Sequence, residues 1–368
     1  FEMTGRRSNA KGDEFTFGDS EYADDTGLAF CSRTDVEEQT LRVTRHFSKW
    51  GMEIHEGILD PMVHSGLLEP EALPPIKGSK SEVLFCAKPL HMYSDPDTFD
   101  GADLSHILLP NHGYMPVVNR FPYLGDVVSR DGSDEAAVDA RVESGNKAFG
   151  ALRGCIFSSS AISTEAKRAV YEAIVLSISL YGAETWSLTE DLYRRLRGMH
   201  AQHLRAMCRV TRTHVWKHHI STQELGQRLG LDSIDMCVAR RQLRWAGHVC
   251  RMDHRTRLPR RMLSAWVAHH RPPGAPTMTY GRSIFKAMDV FQIDTTRWHE
   301  LAADRVAWRE TLRTGLAPPA FRPGTRPPSP RIARTKTARS CVRATIVAID
   351  ETLRKERQPM ADVTNAHA

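Results

Sequence analysis

The hydrophobic pattern of this chain changes period at Ser133, and that change limits the fold more than any other feature of the sequence. Before Ser133, short apolar runs are separated by polar and proline-rich turns, which is typical of strands. After it, apolar residues recur at the three- and four-residue spacing of amphipathic helices, as in Val138, Val142, Gly145, Phe149 and Leu152. The pattern predicts an α+β fold, in which a sheet with one covering helix precedes an all-helical region.

The front of the chain is expected to supply the sheet. Residues 15–31 predict two short strands around a polar turn at Ala23-Asp24-Asp25. Further strands are predicted at 52–54 and 81–85, a hairpin at 107–118, and a last part of the sheet at 121–128. The covering helix ends at Gly51 and has one face made of Val36, Thr40, Val43, Phe47 and Trp50.

The helical part shows start signals of its own. Ser163, Ser221 and Ser233 each precede a helical pattern, and Ser is a preferred N-cap residue. A last helix is predicted from Trp298 to Leu312. Six prolines in residues 317–330 predict a linker, and the basic tail beyond it is expected to form one isolated helix, at 344–357, or to stay disordered.

The segment from Gly57 to Ile76 interrupts the strand pattern. It contains four prolines and little periodicity. Because proline removes backbone donors and breaks helices, we expect this segment to lie outside the core, as an insertion or as an unspliced remnant.

Charge is distributed unevenly along the chain. Residues 1–193 carry a formal charge of −14, residues 194–261 carry +12, and the remainder carries +8. A block of one sign usually serves association, and a positive block of this size predicts a polyanion such as nucleic acid as partner. The alternative is a basic face that is only solvated.

Other compositional features exclude several classes of protein. No apolar run of 18 residues occurs and no secretory leader is evident at the start, so we expect no membrane association and an intracellular protein, cytoplasmic and nuclear. The seven cysteines are scattered and never form a C-x-x-C pair, which predicts reduced thiols.

The tetrapeptide Tyr22-Ala23-Asp24-Asp25 is the strongest candidate for chemistry. Two adjacent carboxylates at a hairpin tip repel one another, but they suit a hard divalent cation. Two such cations can activate a hydroxyl and stabilise the oxygens of a leaving phosphate.

Several segments in a fixed order resemble the later half of the palm of non-LTR retrotransposon (LINE-type) reverse transcriptases. The order is the Tyr-Ala-Asp-Asp hairpin, a helix, Gly51-Met52-Glu53-Ile54-His55, then Ser79–Phe85, then Phe121-Pro122-Tyr123-Leu124-Gly125. Downstream, Leu180–Trp186 (LYGAETW) and Arg240–Val249 (RRQLRWAGHV) resemble two further segments of the family, and 298–309 resembles its terminal helix.

The resemblance implies roles for particular residues. Asp24 and Asp25 would be motif C and bind magnesium, and Lys80 of motif D would protonate the departing pyrophosphate. The primer grip, motif E, would consist of Phe121, Tyr123, Leu124 and Gly125. The partners would be an RNA template and a DNA primer, bound as an RNA–DNA hybrid.

The resemblance also implies a division of the chain. Residues 1–130 would be a partial palm with the insertion at 57–76, residues 131–210 a helical thumb, residues 211–316 a basic helical domain, and residues 317–368 a linker and tail. In the family the motif A aspartate and the fingers precede motif C, so we expect them upstream of Phe1, and the chain as given to be an inactive fragment.

Arg240, Arg241 and Arg244 beside Trp245 are candidates for binding phosphates and bases. The alternative is a buried Trp245 with solvated arginines. A zinc site at Cys237, His248, Cys250 and His254 is a weaker possibility, because its spacing matches no standard set.

The sequence therefore predicts part of an RNA-directed DNA polymerase. The alternative is a non-catalytic nucleic-acid-binding remnant of a decayed element, or a fragment captured by a host.

Overall fold

The computed structural model describes residues 2–4, 15–16, 19–22, 25–30, 33–69, 72–84, 106–110, 112–253, 257–264, 266–267 and 278–315. The chain divides into two compact units. In the described part, unit 1 comprises residues 2–4, 15–140 and Val267, and unit 2 comprises residues 141–264, Trp266 and 278–315. One division between the units lies inside a helix. Both strands and helices are present, with the strands concentrated at the front, as the sequence predicts. The linker and tail beyond residue 316 lie outside the described residues.

Unit 1 contains short strands and two helices. The strands are β1 (Glu2–Thr4), β2 (Phe15–Thr16), β3 (Asp19–Tyr22), β4 (Asp25–Leu28), β5 (Gly57–Ile58), β6 (Val83–Leu84), β7 (His106–Leu108), β8 (Gly113–Val118), β9 (Arg120–Tyr123) and β10 (Asp126–Ser129). The helices are α1 (Arg33–Ser48) and α2 (Pro61–His64).

Strand β8 organises the largest sheet of unit 1. It pairs antiparallel with β5 and β7 and parallel with β6. The predicted hairpin at 107–118 is confirmed as β7 and β8, and the predicted strand at 81–85 as the shorter β6. The predicted strand at 52–54 is not formed.

Helix α1 confirms the predicted helical face with one exception. Thr40 is buried, and Val36, Val43 and Phe47 are half-buried on the same face. Trp50, predicted to join them, lies beyond the helix end and is 73% exposed.

The prediction that residues 57–76 lie outside the core is wrong for their first half. Strand β5 is part of the sheet through Gly57 and Ile58, and Leu59 and Val63 are buried against Tyr114 of β8. The segment also closes on itself, because Ile58 and Lys77 exchange backbone hydrogen bonds of 2.8 and 3.2 Å. Pro61 is tolerated because it occupies the first turn of α2, where a missing N–H has no partner to lose.

We predict that Leu59→Ala destabilises unit 1 by about 2–5 kcal/mol, because it leaves a cavity beside Tyr114. Met62→Ala, on the exposed side of the neighbouring helix, should change stability by less than about 0.5 kcal/mol. Thermal denaturation, with hydrogen exchange of the β8 amides as the local readout, measures both. Small and equal changes in stability for the two variants would show that residues 57–76 lie outside the core.

Unit 2 is helical. Its elements are α3 (Glu135–Leu152), a π-helical turn (Arg153–Phe157), α4 (Thr164–Val170), a second π-helical turn (Tyr171–Val175), α5 (Leu176–Ser179), α6 (Glu190–Met207), α7 (Arg212–Lys217), α8 (Thr222–Leu229), α9 (Ile234–Cys250), α10 (Leu258–Ser264), α11 (Tyr280–Val290), α12 (Trp298–Ala303) and α13 (Arg305–Thr314). The short strand β11 (Trp266–Val267) follows α10, and only Trp266 of it belongs to unit 2. No helix in the described ranges is both long and apolar enough to cross a bilayer.

The predicted helix starts in unit 2 are confirmed. The hydroxyls of Ser163, Ser221 and Ser233 accept hydrogen bonds from backbone N–H groups of the first turns of α4, α8 and α9. The predicted last helix is instead two helices, because Asp304 ends α12 and caps α13 by accepting from the N–H groups of Val306 and Ala307.

Helix α9 is the centre of unit 2. Its Gln242 side chain donates to the carbonyl of Trp186 at 2.9 Å, and its Leu243 carbonyl accepts from the indole N–H of Trp308 at 3.0 Å. Gly247 leaves room for that indole, since a Cβ there would lie 2.2 Å from Nε1 of Trp308. Helix α6 packs against α8 and α9, so the described helices form one unit across the predicted domain boundary at 210.

A buried polar network joins three elements of unit 2. The Tyr171 hydroxyl lies 3.0 Å from Nδ1 of His200 and 3.1 Å from Nδ1 of His203, and Nε2 of His203 lies 3.0 Å from Oδ1 of Asn146. A hydroxyl has one proton, so it donates to one imidazole and accepts from the other. In their neutral forms the two histidines are therefore opposite tautomers.

This network makes stability depend on pH. Burial lowers the pKa of His200 to about 4, and burial together with His200 lowers the pKa of His203 to about 4, from an ordinary value of 6.5. The unfolded chain therefore binds more protons between these values, and stability falls as pH falls from 6.5 to about 4. The loss should be on the order of 3 kcal/mol for each histidine.

Urea denaturation from pH 7 to pH 4 tests the prediction. His200→Gln should flatten the pH dependence of unfolding, whereas His248→Gln, which removes an exposed histidine of α9, should leave it unchanged. The same slope in all three proteins would contradict the assignment.

Candidate functional site

The Tyr-Ala-Asp-Asp segment forms the predicted hairpin. Strands β3 and β4 pair antiparallel, with Tyr22 opposite Asp25 and Glu21 opposite Thr26. Asp25 is thus the first residue of β4, next to the tip, and Tyr22 is 67% exposed. Asp24 and the side chain of Asp25 lie outside the described residues.

The Phe-Pro-Tyr-Leu-Gly segment forms a second hairpin, β9 and β10. Tyr123 pairs with Asp126, so Leu124 and Gly125 alone make the turn. Both have positive φ angles, 49° and 77°, which match the twist of a two-residue hairpin. Phe121 and Tyr123 lie on one face of β9, with ring centroids 6.1 Å apart and planes inclined by 23°. The hairpin therefore presents a pair of stacked aromatic rings.

The two hairpins are in contact. A Cβ at Gly27 in β4 would lie 3.5 Å from Cζ of Tyr123, which is an ordinary van der Waals distance. The Tyr123 ring therefore packs on the backbone of β4, two residues beyond Asp25. This contact brings two sequence-predicted parts of the site together within unit 1.

Lys80 is exposed, and backbone hydrogen bonds fix the position of its main chain. The N–H groups of Lys80 and Ser81 donate to the carbonyl of His55 at 3.3 and 3.2 Å, and the hydroxyl of Ser79 donates to the same oxygen at 3.1 Å. The Gly51–His55 and Ser79–Phe85 segments are thus joined despite the residues between them. Hydrogen bonding at His55 fixes the backbone that carries the Lys80 side chain.

The three candidate arginines of α9 have different environments. Arg240 is tied into unit 2, because it donates to Asp232 at 2.7 Å and to the carbonyl of Leu312 at 3.1 Å and lies over the ring of Phe291. Arg244 is exposed, and Arg241 is half-exposed. Arg240 is therefore a structural residue, while Arg241 and Arg244 face solvent.

Arg244 belongs to a cluster of positive charge. Partial burial and then the neighbouring Arg240, Arg241 and Arg309 lower the pKa of the Arg244 guanidinium. Within the described ranges, Arg241, Arg244 and Arg309 form no ion pair. We call these three residues the arginine cluster. Such charge attracts an anion, since a bound phosphate would relieve the repulsion.

Arg309 is the part of this cluster that sequence reasoning missed. It lies on α13, which the bond from Trp308 to Leu243 holds against α9. Arg309 is close to Arg244 because α13 packs against α9. The pair Trp308-Arg309 could be seen in the sequence, but this packing could not. Trp245, which the alternative interpretation of the sequence placed in the core, is half-buried, with its ring 5.7 Å from that of His248.

The zinc possibility gains no support. Among the residues that the structure describes, no group of three His, Cys, Asp or Glu side chains is placed to hold a metal ion. His254 lies outside them. Cys250 approaches the carbonyl of His299 at 4.0 Å, and burial raises the pKa of the Cys237 thiol to about 12.

The chain is similar to an uncharacterized transposon-derived protein of Caenorhabditis elegans, with 27% identity over 150 residues. The match covers 39% of this chain and spans about half the length, 53%, of that protein. No protein family and no solved structure matches the chain.

Measurements of stability test whether Arg240 has a structural role that the residues of the arginine cluster lack. Arg240→Ala should lower the free energy of unfolding by about 1–3 kcal/mol, because it leaves the Leu312 carbonyl and Asp232 without their donor. Arg244→Ala, a matched change one turn away, should have an effect within about 0.5 kcal/mol. Urea denaturation measures both, and a larger loss for Arg244→Ala would reverse the two roles.

Proposed function

We propose that the chain derives from a non-LTR retrotransposon and carries the later part of its reverse-transcriptase palm, followed by a helical region that binds nucleic acid. The contact between Tyr123 and Gly27 carries this proposal. In the family, the aspartate hairpin and the primer grip act on the same primer 3′ end, so they must be close in space. The two segments of this chain that resemble them meet that requirement, although they are far apart in sequence.

The comparison supports the origin more than the activity. The relative is described as transposon-derived, which agrees with a transposable element as the source of this chain. The order of the motifs is the support for a polymerase in particular.

The chemistry of the hairpin fits a magnesium site. Asp25 begins β4 opposite an exposed Tyr22, and carboxylate oxygens at a turn are ligands that Mg²⁺ accepts. Asp24 and Asp25 would hold the ion, which when bound supplies positive charge to phosphate oxygens.

The other residues of unit 1 would position the reactants. The stacked rings of Phe121 and Tyr123 would support the end of the primer beside the aspartate hairpin. The exposed amino group of Lys80, on a backbone fixed by His55, would donate a proton to the departing pyrophosphate.

A second candidate function is nucleic-acid binding without catalysis, by a remnant of a decayed element or by a captured host fragment. The arginine cluster favours it, because Arg241, Arg244 and Arg309 belong to unit 2 and use no residue of the aspartate hairpin. Such a protein would bind RNA–DNA hybrid through charge, with affinity that falls steeply with salt.

Primer extension on an RNA template with magnesium distinguishes the two functions. Because the family's third carboxylate lies on motif A, the assay uses the chain joined to the preceding sequence of its element. Asp24→Ala should reduce extension to background while leaving the affinity for hybrid nearly unchanged, since metal binding and phosphate binding use different units.

Asp191→Ala serves as the matched control, because it removes an exposed carboxylate of α6 and should leave extension unchanged. Extension that is indifferent to Asp24→Ala would remove the polymerase mechanism from this hairpin. Hybrid binding without extension in any of these proteins would favour the second candidate.

A further inference from the structure

The segment between α6 and α8 carries an exposed tryptophan in a basic surrounding. Trp216 is 74% exposed, although a side chain of this size is normally mostly buried. It lies on α7, which buries none of its residues; Val215 is half-buried and the other five are exposed. The helix is therefore not a core element, and its tryptophan is not explained by packing.

The sequence on both sides of Trp216 carries charge of one sign. No Asp or Glu occurs between Asp191 and Glu224, a stretch with seven Lys and Arg, four of which lie beyond the first two turns of α6. On α7 itself, Arg212 and Lys217 form no ion pair with any residue in the described part of the chain. His214 and His218 lie on the same helix side, with ring centroids 4.3 Å apart.

Not every cation of the segment is available to a ligand. Arg209 donates to the carbonyl of Ser158 and thereby fastens the start of the segment to the rest of unit 2. His219 and Arg209, with φ angles of 52° and 56°, turn the chain at the two ends of α7. The segment is thus anchored at its base, while Arg212, Trp216 and Lys217 are exposed.

We propose that Trp216, Arg212 and Lys217 form a binding site for single-stranded nucleic acid. The indole would stack on an unpaired base, and the two cations would contact the flanking phosphates. A duplex covers the faces of its bases by stacking, so a protruding tryptophan selects unpaired ones. This site adds a second nucleic-acid contact to the proposed function and uses none of the residues assigned there.

The helix is ill suited to a lipid surface. A membrane-binding helix needs an apolar face, whereas only two of the six residues of α7 are apolar, Val215 and Trp216. The absence of carboxylates in this part of the sequence suits an anionic partner, and the tryptophan suits one with planar, stackable groups.

Fluorescence anisotropy of a labelled RNA of about 12 nucleotides and mixed sequence, within the usual site sizes for single strands, tests the site on the full chain. Trp216→Ala should weaken binding between about fivefold and a hundredfold, and Trp216→Phe should restore part of the affinity because a ring remains for stacking. Trp50→Ala is the matched control, since it removes an equally exposed tryptophan from unit 1 and should have no effect. Circular dichroism checks that the variants remain folded.

The cations are tested by salt dependence. Changing Arg212 and Lys217 to Ala should reduce the slope of log affinity against log salt by about 0.7 for each phosphate that the protein no longer neutralises. An RNA–DNA hybrid without overhangs is measured in parallel, and Trp216→Ala should leave its affinity unchanged.

The outcomes separate this site from the proposed function. Hybrid binding together with RNA binding indifferent to Trp216→Ala would overturn the site alone, and a wild-type chain that binds neither nucleic acid would overturn both. Vesicles of phosphatidylserine and phosphatidylcholine that bind the wild type but not Trp216→Ala would assign the tryptophan to lipid and overturn the site.

Discussion

The polar contacts of α9 are the interaction on which unit 2 depends. A helix carbonyl normally has its partner within the helix, yet the Leu243 carbonyl also accepts from Trp308, and Gln242 reaches outward to the Trp186 carbonyl. Both bonds are buried, so breaking either would leave polar groups without water. They fix the rotation of α9, and that rotation leaves Arg244 exposed.

The local features of the fold could be predicted from the sequence, and the long-range ones could not. Serine caps at Ser163 and Ser233 involve bonds within four residues, so the signal is entirely local. Leu59 and Val63 looked like part of a proline-rich excursion because their partner, Tyr114, is distant in sequence. Asp304 was a visible capping residue inside a helical pattern, and reading it as a helix start would have found the break.

In the candidate site, too, local features could be predicted from the sequence and long-range contacts could not. The hairpin at Tyr22–Asp25 was predicted from its polar turn, which is a local signal. Residues 121–128 were predicted to continue the sheet, which is wrong, because within the described residues β9 and β10 pair only with each other. The contact between the two hairpins was expected only through the family resemblance, since no pattern within either segment shows that Tyr123 meets Gly27. Arg309 lies near Arg244 because the neighbouring Trp308 packs against α9. Trp50 fitted the spacing of the α1 face, but α1 ends before Trp50 and leaves it exposed.

The π-helical turn at Tyr171–Val175 has a consequence for how relatives of this chain should be aligned. A π turn holds one more residue than an α turn, and in an α-helix each residue advances the direction of the side chain by about 100°. A relative that lacks one residue here would still be helical throughout, but α4 would point another face inward. Tyr171 would then no longer meet His200 and His203. A one-residue gap at this place is therefore a rotation of an element, and an ungapped comparison would pair side chains that do not occupy equivalent positions.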